Sequence, residues 1–120
     1  MLEVSCHADS EAPSGLLVAL AGDLDAMGVP ELWGAVSAHL ESGSACLLLD
    51  LSRVEHLNSA GVGMLIKIRN LADSRGGAAA VFGCNARVRQ VLHIGMLEEI
   101  LGVVESAREA RELLRQRRRG

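Results

Sequence analysis

One short apolar run constrains the fold of this chain more than any other stretch. Cys46-Leu47-Leu48-Leu49-Asp50-Leu51 is almost continuously hydrophobic, and it is shorter than a typical helix of about 10 to 12 residues. Such a run is typical of a central strand that is covered on both faces or packed tightly within a layer. The fold must therefore supply other elements that pack against this strand.

Strand and helix patterns alternate along the rest of the chain. Val4 to Ala8 and Leu16 to Leu20 are expected to pair as a hairpin across a turn at Pro13-Ser14-Gly15. Further strands are predicted at Ala78 to Phe82 and at Ile100 to Val104. Helices are predicted from Pro30 to near Ser42-Gly43, from Ser59 to about Asp73, from Asn85 to Gly95 and after Ser106.

This alternation implies an α/β domain with parallel strands and crossover connections. The sequence predicts a single domain with a mixed, mostly parallel β-sheet, an N-terminal hairpin and about four helices. Two helical stripes are expected to be buried, one formed by Leu32, Val36 and Leu40 and the other by Leu65, Ile68 and Ala72.

The 120 residues fit one domain spanning 1–120, with a core expected at about residues 4–114. Residues 115–120 include Arg117, Arg118 and Arg119 and are expected to form a solvated basic tail. The chain has no apolar run of about 18 residues, and its start lacks the layout of a secretion signal. We therefore expect a cytoplasmic protein without membrane insertion. A net charge of -3, with no tyrosine, one Trp and one Phe, counts against direct nucleic-acid binding.

The residues that commonly carry catalysis or bind metals are scattered. Three cysteines lie far apart, which favours free thiols over disulfides or a metal site: Cys6, Cys46 and Cys84. The histidines are spread one to each predicted element or loop: His7, His39, His56 and His93. The chain also lacks a phosphate-binding loop, a zinc-protease motif, a hydrolase elbow and a complete dinucleotide fingerprint. We expect no enzymatic activity, no catalytic residue, no metal site and no cofactor.

Ser59 is the residue for which the local pattern suggests a function. A strand leads through a loop into a helix that begins with small residues, so Ser59 lies at or next to the helix N-cap. A capping hydrogen bond, worth about 1 kcal/mol, is a sufficient explanation for a serine there. The same position also suits a phosphoryl group, because helix N-termini stabilise anions, and Ala60 and Gly61 leave room for a partner to approach.

Four short motifs resemble those of the STAS family, in particular its bacterial anti-sigma-factor antagonists. The family typically shows Gly-Glu-Leu-Asp, Asp-Leu-Ser, Asp-Ser-Ser/Thr-Gly-Leu-Gly and a later Gly-Leu. The similar segments occur here in the same order, from about Leu16 to Val104: Gly22-Asp23-Leu24-Asp25, Asp50-Leu51-Ser52, Asn58-Ser59-Ala60-Gly61-Val62-Gly63 and Gly95-Met96-Leu97. The resemblance therefore covers most of the chain.

The resemblance implies a non-enzymatic switch in bacterial transcription regulation. Antagonists of this kind bind an anti-sigma factor that is also a serine kinase, which frees a sigma factor. The kinase inactivates them by phosphorylating the serine that matches Ser59, and a serine phosphatase reverses the modification. A phosphate would add about -1.5 to -2 charges and would repel acidic neighbours such as Asp25.

The expected partner surface surrounds this serine. Val62 and Met64 are candidate contacts because apolar residues on this helix extend beyond one buried stripe, and methionine suits a surface that repacks. Together with the positions that match the family motifs, the predicted partner-binding residues are Asp23, Asp25, Asn58, Ser59, Ala60, Gly61, Val62 and Met64.

Two departures from the family pattern leave alternatives open. Asn58 stands where the family has an aspartate, and Ala60 replaces a second hydroxyl residue. A neutral Asn58 either lowers the phosphate's repulsion or impairs kinase recognition. One alternative is an unphosphorylated STAS scaffold subunit of a stress-signalling or lipid-transport ATPase complex, since Pro30-Glu31-Leu32-Trp33 and Asp50 to Val54 are similar to the lipid-transport group. The other is a hydrolase with Ser59 as nucleophile, although its nearest candidate base, His56, is expected in a solvated loop. The oligomeric state is left open.

Overall fold

Strands and helices alternate along the computed structural model, which describes residues 1–9, 11, 15–41 and 46–119, and the side chains of all of these except 118 and 119. Within these described ranges, five strands form one sheet: β1 (Leu2–Ala8), β2 (Gly15–Leu24), β3 (Cys46–Leu57), β4 (Ala78–Phe82) and β5 (Val103–Val104). The helices are α1 (Val29–Glu41), α2 (Ser59–Ser74), α3 (Ala86–Ile94), α4 (Glu98–Leu101) and α5 (Ala107–Arg119). The predicted turn at Pro13-Ser14 and the predicted end of α1 at Ser42-Gly43 lie outside the described residues.

The sheet order follows the chain order, β1-β2-β3-β4-β5. β1 runs antiparallel to β2, from Leu2 opposite Gly22 to Ala8 opposite Leu16. The other neighbouring strands pair in parallel. The predicted mixed, mostly parallel sheet with an N-terminal hairpin is therefore confirmed, and α4, a single turn, is added to the four expected helices.

Helices cover both faces of the sheet. Alternate residues of β3 face opposite sides, so Leu47, Leu49 and Leu51 join the larger core cluster with residues of α1 to α4. Cys46 and Leu48 join the smaller cluster, to which α5 contributes Ala110 and Leu114. The prediction that β3 is covered on both faces is confirmed. Both predicted helical stripes are buried as well, because their six residues are at most 1% exposed.

The region between α3 and α5 differs from the prediction. The apolar pattern predicts a strand from Ile100 to Val104, but α4 occupies the chain up to Leu101 and β5 has two residues. The reason is local, because Gly102 adopts a left-handed conformation (φ 65) and ends α4 just before the strand. In the part of the chain that the structure describes, no helix is long and apolar enough to cross a bilayer.

The predicted basic tail also differs from the structure. α5 continues through Arg119, beyond the expected core limit at residue 114. Arg117 is not simply solvated, because its guanidinium donates hydrogen bonds to the carbonyls of Ala79 at 3.3 Å and Glu99 at 2.8 Å. These bonds tie the last turns of α5 to β4 and α4.

β3 is longer than the apolar run that predicts it. It continues from Leu51 to Leu57 through a stretch expected to be a loop, and it pairs in parallel with β2 as far as Leu24 opposite Leu57. Val54 and Leu57 are buried and attach this extension to the core. His56 therefore lies on a strand beside Asp23, and the expectation of a loop at this position is wrong.

Candidate functional site

The N-terminus of α2 begins where β2 and β3 end. A Cβ atom on Gly61 would lie 2.3 Å from the carbonyl oxygen of Leu24, at the end of β2. The Asn58 N–H donates to the same carbonyl at 3.4 Å. A glycine at position 61 therefore allows the first turn of α2 to pack directly against the end of β2.

Asn58, and not Ser59, is the N-cap of α2. Its Oδ1 accepts hydrogen bonds from the N–H groups of Ala60 at 3.0 Å and Gly61 at 3.2 Å. Ser59 is the first helical residue, next to the cap. Asparagine is as good an N-cap as serine, so the interpretation of Ser59 as a capping residue is wrong. Two N–H groups at the start of α2 therefore already donate to Asn58.

Ser59 is exposed at the protein surface. Among the hydrogen bonds of the described residues, none involves the Ser59 hydroxyl. Its neighbours Ala60 and Val62 are half-buried, and Gly61 is buried. A partner can therefore reach the Ser59 hydroxyl together with parts of Ala60 and Val62.

Met64 does not belong to this exposed surface. Its side chain is 8% exposed and packs in the larger core cluster with Leu65 and Ile68. Met64 lies four residues before Ile68 and therefore on the same helix face. The interpretation of Met64 as a surface contact is corrected, and Val62 remains the apolar candidate on this turn.

The two aspartates of the predicted surface are held in different ways. Oδ1 of Asp25 accepts from the N–H groups of Met27 and Gly28, both at 3.0 Å, which fixes the turn between β2 and α1. Oδ1 of Asp23 is buried, and it has no hydrogen-bond partner among the described residues. Asp25 therefore has a structural role in its turn, whereas the local packing does not satisfy Asp23.

Asp23 lies in a cluster that the sequence does not predict. One ligand atom from each of Asp23, Glu55 and His56 can be chosen so that all three lie within 4.8 Å of one another. This differs from the expectation that the histidines lie apart from other metal-binding groups. Strand topology could have predicted this cluster. The ends of two neighbouring parallel strands meet at the same edge of a sheet, and all three residues are near strand ends.

A second set of charged side chains lies on α3 and on the neighbouring α4. Glu98 accepts hydrogen bonds from Arg89 Nε at 2.9 Å and pairs with His93 Nδ1 at 2.6 Å. The bonds from His93 and then Arg89 lower the pKa of Glu98. Burial raises the pKa of the nearby Cys84 thiol to about 11, so this thiol stays protonated near neutral pH and is a poor nucleophile.

Comparisons with known proteins give a family match and a curated relative. The profile of the family described as "Mlab, STAS domain" matches residues 7–105. A protein of Thermotoga neapolitana, named as an anti-sigma factor antagonist homologue, is 36% identical over 73 residues, which cover 61% of this chain. The matched stretch covers 65% of that relative's length.

Solved structures give a matching fold over nearly the whole chain. A Thermotoga maritima protein that is named as an anti-sigma factor antagonist aligns with a TM-score of 0.84 at 23% identity, covering 93% of this chain and 94% of that one. One from Mycobacterium paratuberculosis aligns with a TM-score of 0.82 at 21% identity, covering 96% and 95%. Unphosphorylated SpoIIAA, a cell fate determinant of Bacillus, aligns at 0.76 with 18% identity, covering 95% and 97%. At these identities the agreement concerns the fold.

Proposed function

The chain belongs to the STAS domain family, as the match over residues 7–105 shows, and from this premise we propose that it is an anti-sigma factor antagonist. The family predicted from four short motifs is thereby confirmed. The proposed activity is regulated protein binding and involves no catalysis by this chain. The name of the Thermotoga neapolitana relative supports it, as do the names of the two antagonists that share the fold.

The proposed switch is reversible phosphorylation of Ser59 by an anti-sigma factor that is a serine kinase. One observation carries this proposal: Ser59 is exposed as the first residue of α2, while Asn58 caps the helix. The hydroxyl therefore has no capping role that phosphorylation would disrupt. The unphosphorylated form would bind the kinase and release a sigma factor, and a serine phosphatase would restore it.

A phosphate on Ser59 would act mainly through its charge. The N–H groups of Ala60 and Gly61 already donate to Asn58, so a phosphate on Ser59 would not receive hydrogen bonds from them. It would still interact favourably with the helix dipole, which is worth about 0.3–1 kcal/mol. It would add about -1.5 to -2 charges to an end of the sheet that already carries Asp23, Asp25 and Glu55. Phosphorylation would thus oppose a partner's binding through charge repulsion and through the cost of desolvating the phosphate. The first turn of α2 would keep its conformation.

A related fold supports this type of regulation. SpoIIAA, which shares the fold, has been solved in an unphosphorylated and a phosphorylated form. The proposed contact surface of the present chain consists of Asn58, Ser59, Ala60 and Val62, with the Asp25 turn beside it. Gly61 and Met64 would support this surface from beneath, since both are buried.

The modification can be tested by intact mass spectrometry. The purified chain is incubated with ATP and the serine-kinase anti-sigma factor encoded in the same genome. We expect one added phosphate in the wild type and in Ser52→Ala, a matched control at another exposed serine, and none in Ser59→Ala. Phosphate on Ser59→Ala would refute the assignment of this residue.

Binding is tested separately with the same partner. Ser59→Asp should weaken the complex, because its carboxylate adds charge at the proposed contact, whereas Ser59→Ala should bind like the wild type. Isothermal titration calorimetry measures both affinities. Equal affinity of the two variants would contradict a charge-based switch.

One alternative function uses the same contact surface but does not involve phosphorylation of Ser59. The neutral cap at Asn58 lacks the carboxylate that the resemblance places beside the acceptor, and this favours a STAS scaffold subunit that is never phosphorylated. A stable complex with the anti-sigma kinase but no phosphate would indicate a constitutive binder. Co-purification with an ATP-binding cassette protein, and no binding to the kinase, would favour the scaffold.

A Ser59-dependent hydrolase is not supported by the surroundings of this serine. In the described part of the chain no base is hydrogen-bonded to its hydroxyl. His56, the candidate base, clusters with Asp23 and Glu55. A nucleophilic serine requires a base within hydrogen-bonding distance, so the binding function is preferred.

A further inference from the structure

We propose that Asp23, Glu55 and His56 form a binding site for one divalent transition-metal cation, and that Zn²⁺ fits it best. The three side chains provide two carboxylates and one imidazole, and their ligand atoms lie within 4.8 Å of one another. Asp23 comes from β2, and the other two come from the end of β3. The proposed ion would therefore link two neighbouring strands.

A bulge in β3 builds this arrangement. Gly22 is opposite Val54, but the next residue of β2, Asp23, is opposite His56, so Glu55 is the extra residue between them. In a regular strand Glu55 and His56 would point to opposite faces. A bulge redirects side chains, and here it lets both residues approach Asp23.

The state of Asp23 is a second, independent observation. Its Oδ1 is buried, and no hydrogen bond satisfies it among the described residues. A buried carboxylate oxygen without a partner is costly, and a second carboxylate nearby, that of Glu55, adds repulsion. A cation bound by the Asp23 carboxylate would offset both costs, because its positive charge would neutralise the two carboxylates.

The donor set indicates the class of ion. Imidazole nitrogen with carboxylate oxygen suits Zn²⁺ and related transition metals, whereas Mg²⁺ and Ca²⁺ prefer oxygen ligands alone. Zinc ligands at about 2.0–2.2 Å from the ion lie roughly 3.4 Å apart in a tetrahedron. Glu55 and His56 are exposed, so small rotations of their side chains can close the cluster. A water molecule would complete the coordination of the ion.

The full chain is first treated with a chelator and then titrated with ZnCl₂ by isothermal titration calorimetry, with MgCl₂ in a parallel titration. We expect one Zn²⁺ per chain, much weaker binding of Mg²⁺, and a higher melting temperature with zinc. Glu55→Gln and His56→Ala should each weaken zinc binding about tenfold or more, because loss of even an outer-shell group costs about 10–100-fold. Both residues are exposed, so these variants should fold, as circular dichroism will verify.

Two controls separate this site from other zinc-binding groups. His93→Ala removes another exposed histidine that contacts a carboxylate, and it should keep the wild-type affinity. A double Cys6→Ser, Cys84→Ser variant should keep it too, which excludes binding by the half-buried thiols. The proposal is overturned if zinc does not bind, if Glu55→Gln and His56→Ala bind zinc like the wild type, or if only the cysteine variant loses binding. These titrations use the unmodified protein alone, so their outcome is independent of the anti-sigma partner and of phosphorylation at Ser59.

Discussion

Two glycines in the first turns of α2 should respond in opposite ways to the same substitution. Gly61 faces the end of β2, where an added Cβ would lie 2.3 Å from the Leu24 carbonyl oxygen and 2.8 Å from a methyl carbon of Leu57. Gly63 is exposed, and among the described residues outside its own helix an added Cβ there would meet no atom within 4 Å. Gly61→Ala and Gly63→Ala are therefore a matched pair that differs mainly in steric surroundings.

The expected magnitudes follow from these distances. Alanine is about 0.8–1 kcal/mol more favourable than glycine inside a helix, so Gly63→Ala should stabilise the protein by about that amount. The same gain applies to Gly61→Ala, but the clash involves a backbone oxygen that cannot rotate away. Overpacking of this kind costs about 1–3 kcal/mol. Because the helix term is common to both, Gly61→Ala should be about 1–3 kcal/mol less stable than Gly63→Ala.

Urea unfolding followed by far-UV circular dichroism measures this difference. With a slope of about 2 kcal/mol/M, which is typical of a small domain in urea, the two unfolding midpoints should differ by about 0.5–1.5 M. The slopes themselves should agree, which would show that the unfolded states are alike. If Gly61→Ala proves as stable as Gly63→Ala, then α2 does not approach the end of β2 closely, and Ser59 does not lie beside that strand end.

Three further predictions concern the cap, the core and pH. Asn58→Ala should lower the free energy of unfolding by about 1 kcal/mol in the same urea experiment, whereas Asn58→Asp should keep the wild-type stability, because aspartate also caps. Leu65→Ala should cost about 2–5 kcal/mol, since Leu65 is 0% exposed; a smaller loss would contradict its burial. Hydrogen bonds from His93 and Arg89 lower the pKa of Glu98 in the folded protein. Ionised Glu98 therefore stabilises the fold at pH values above its unfolded pKa of about 4.3. This stabilisation is lost as the pH falls through the lower pKa of the folded protein. The stability advantage of the wild type over Glu98→Gln, measured by urea unfolding at several pH values, should therefore shrink as the solution is acidified; an advantage that is constant with pH would contradict it.

The larger elements can be predicted from the sequence because their patterns are local. Leu32, Val36 and Leu40 recur every four residues, and the structure buries all three on α1. The capping of α3 by Asn85 is equally local, and Asn85 Oδ1 accepts from the Val88 N–H at 2.8 Å. In such cases the residues that determine an element are within one or two turns of it.

The parts that could not be predicted depend on contacts between elements. Beyond Leu51, β3 buries Val54 and Leu57 at a spacing of three, which does not fit the alternation of a regular strand. The bulge that produces this spacing exists only because β3 pairs with β2. The apolar character of Ile100 indicates a strand, but this residue is 45% exposed on α4. Its position is set by Gly102, which ends that helix.

The candidate site combines both kinds of information. A sequence motif identifies Ser59, but the exposure of its hydroxyl depends on Asn58 taking the cap one residue earlier. Placement of that cap depends in turn on Gly61, which brings α2 against the end of β2. The same strand ends bring Asp23 next to Glu55 and His56. A phosphate on Ser59 and a cation at this cluster would act at neighbouring strand ends with opposite charges. Zinc should therefore partly offset the repulsion that a phosphate introduces, and its effect on partner binding should be larger for the phosphorylated protein than for the unmodified one.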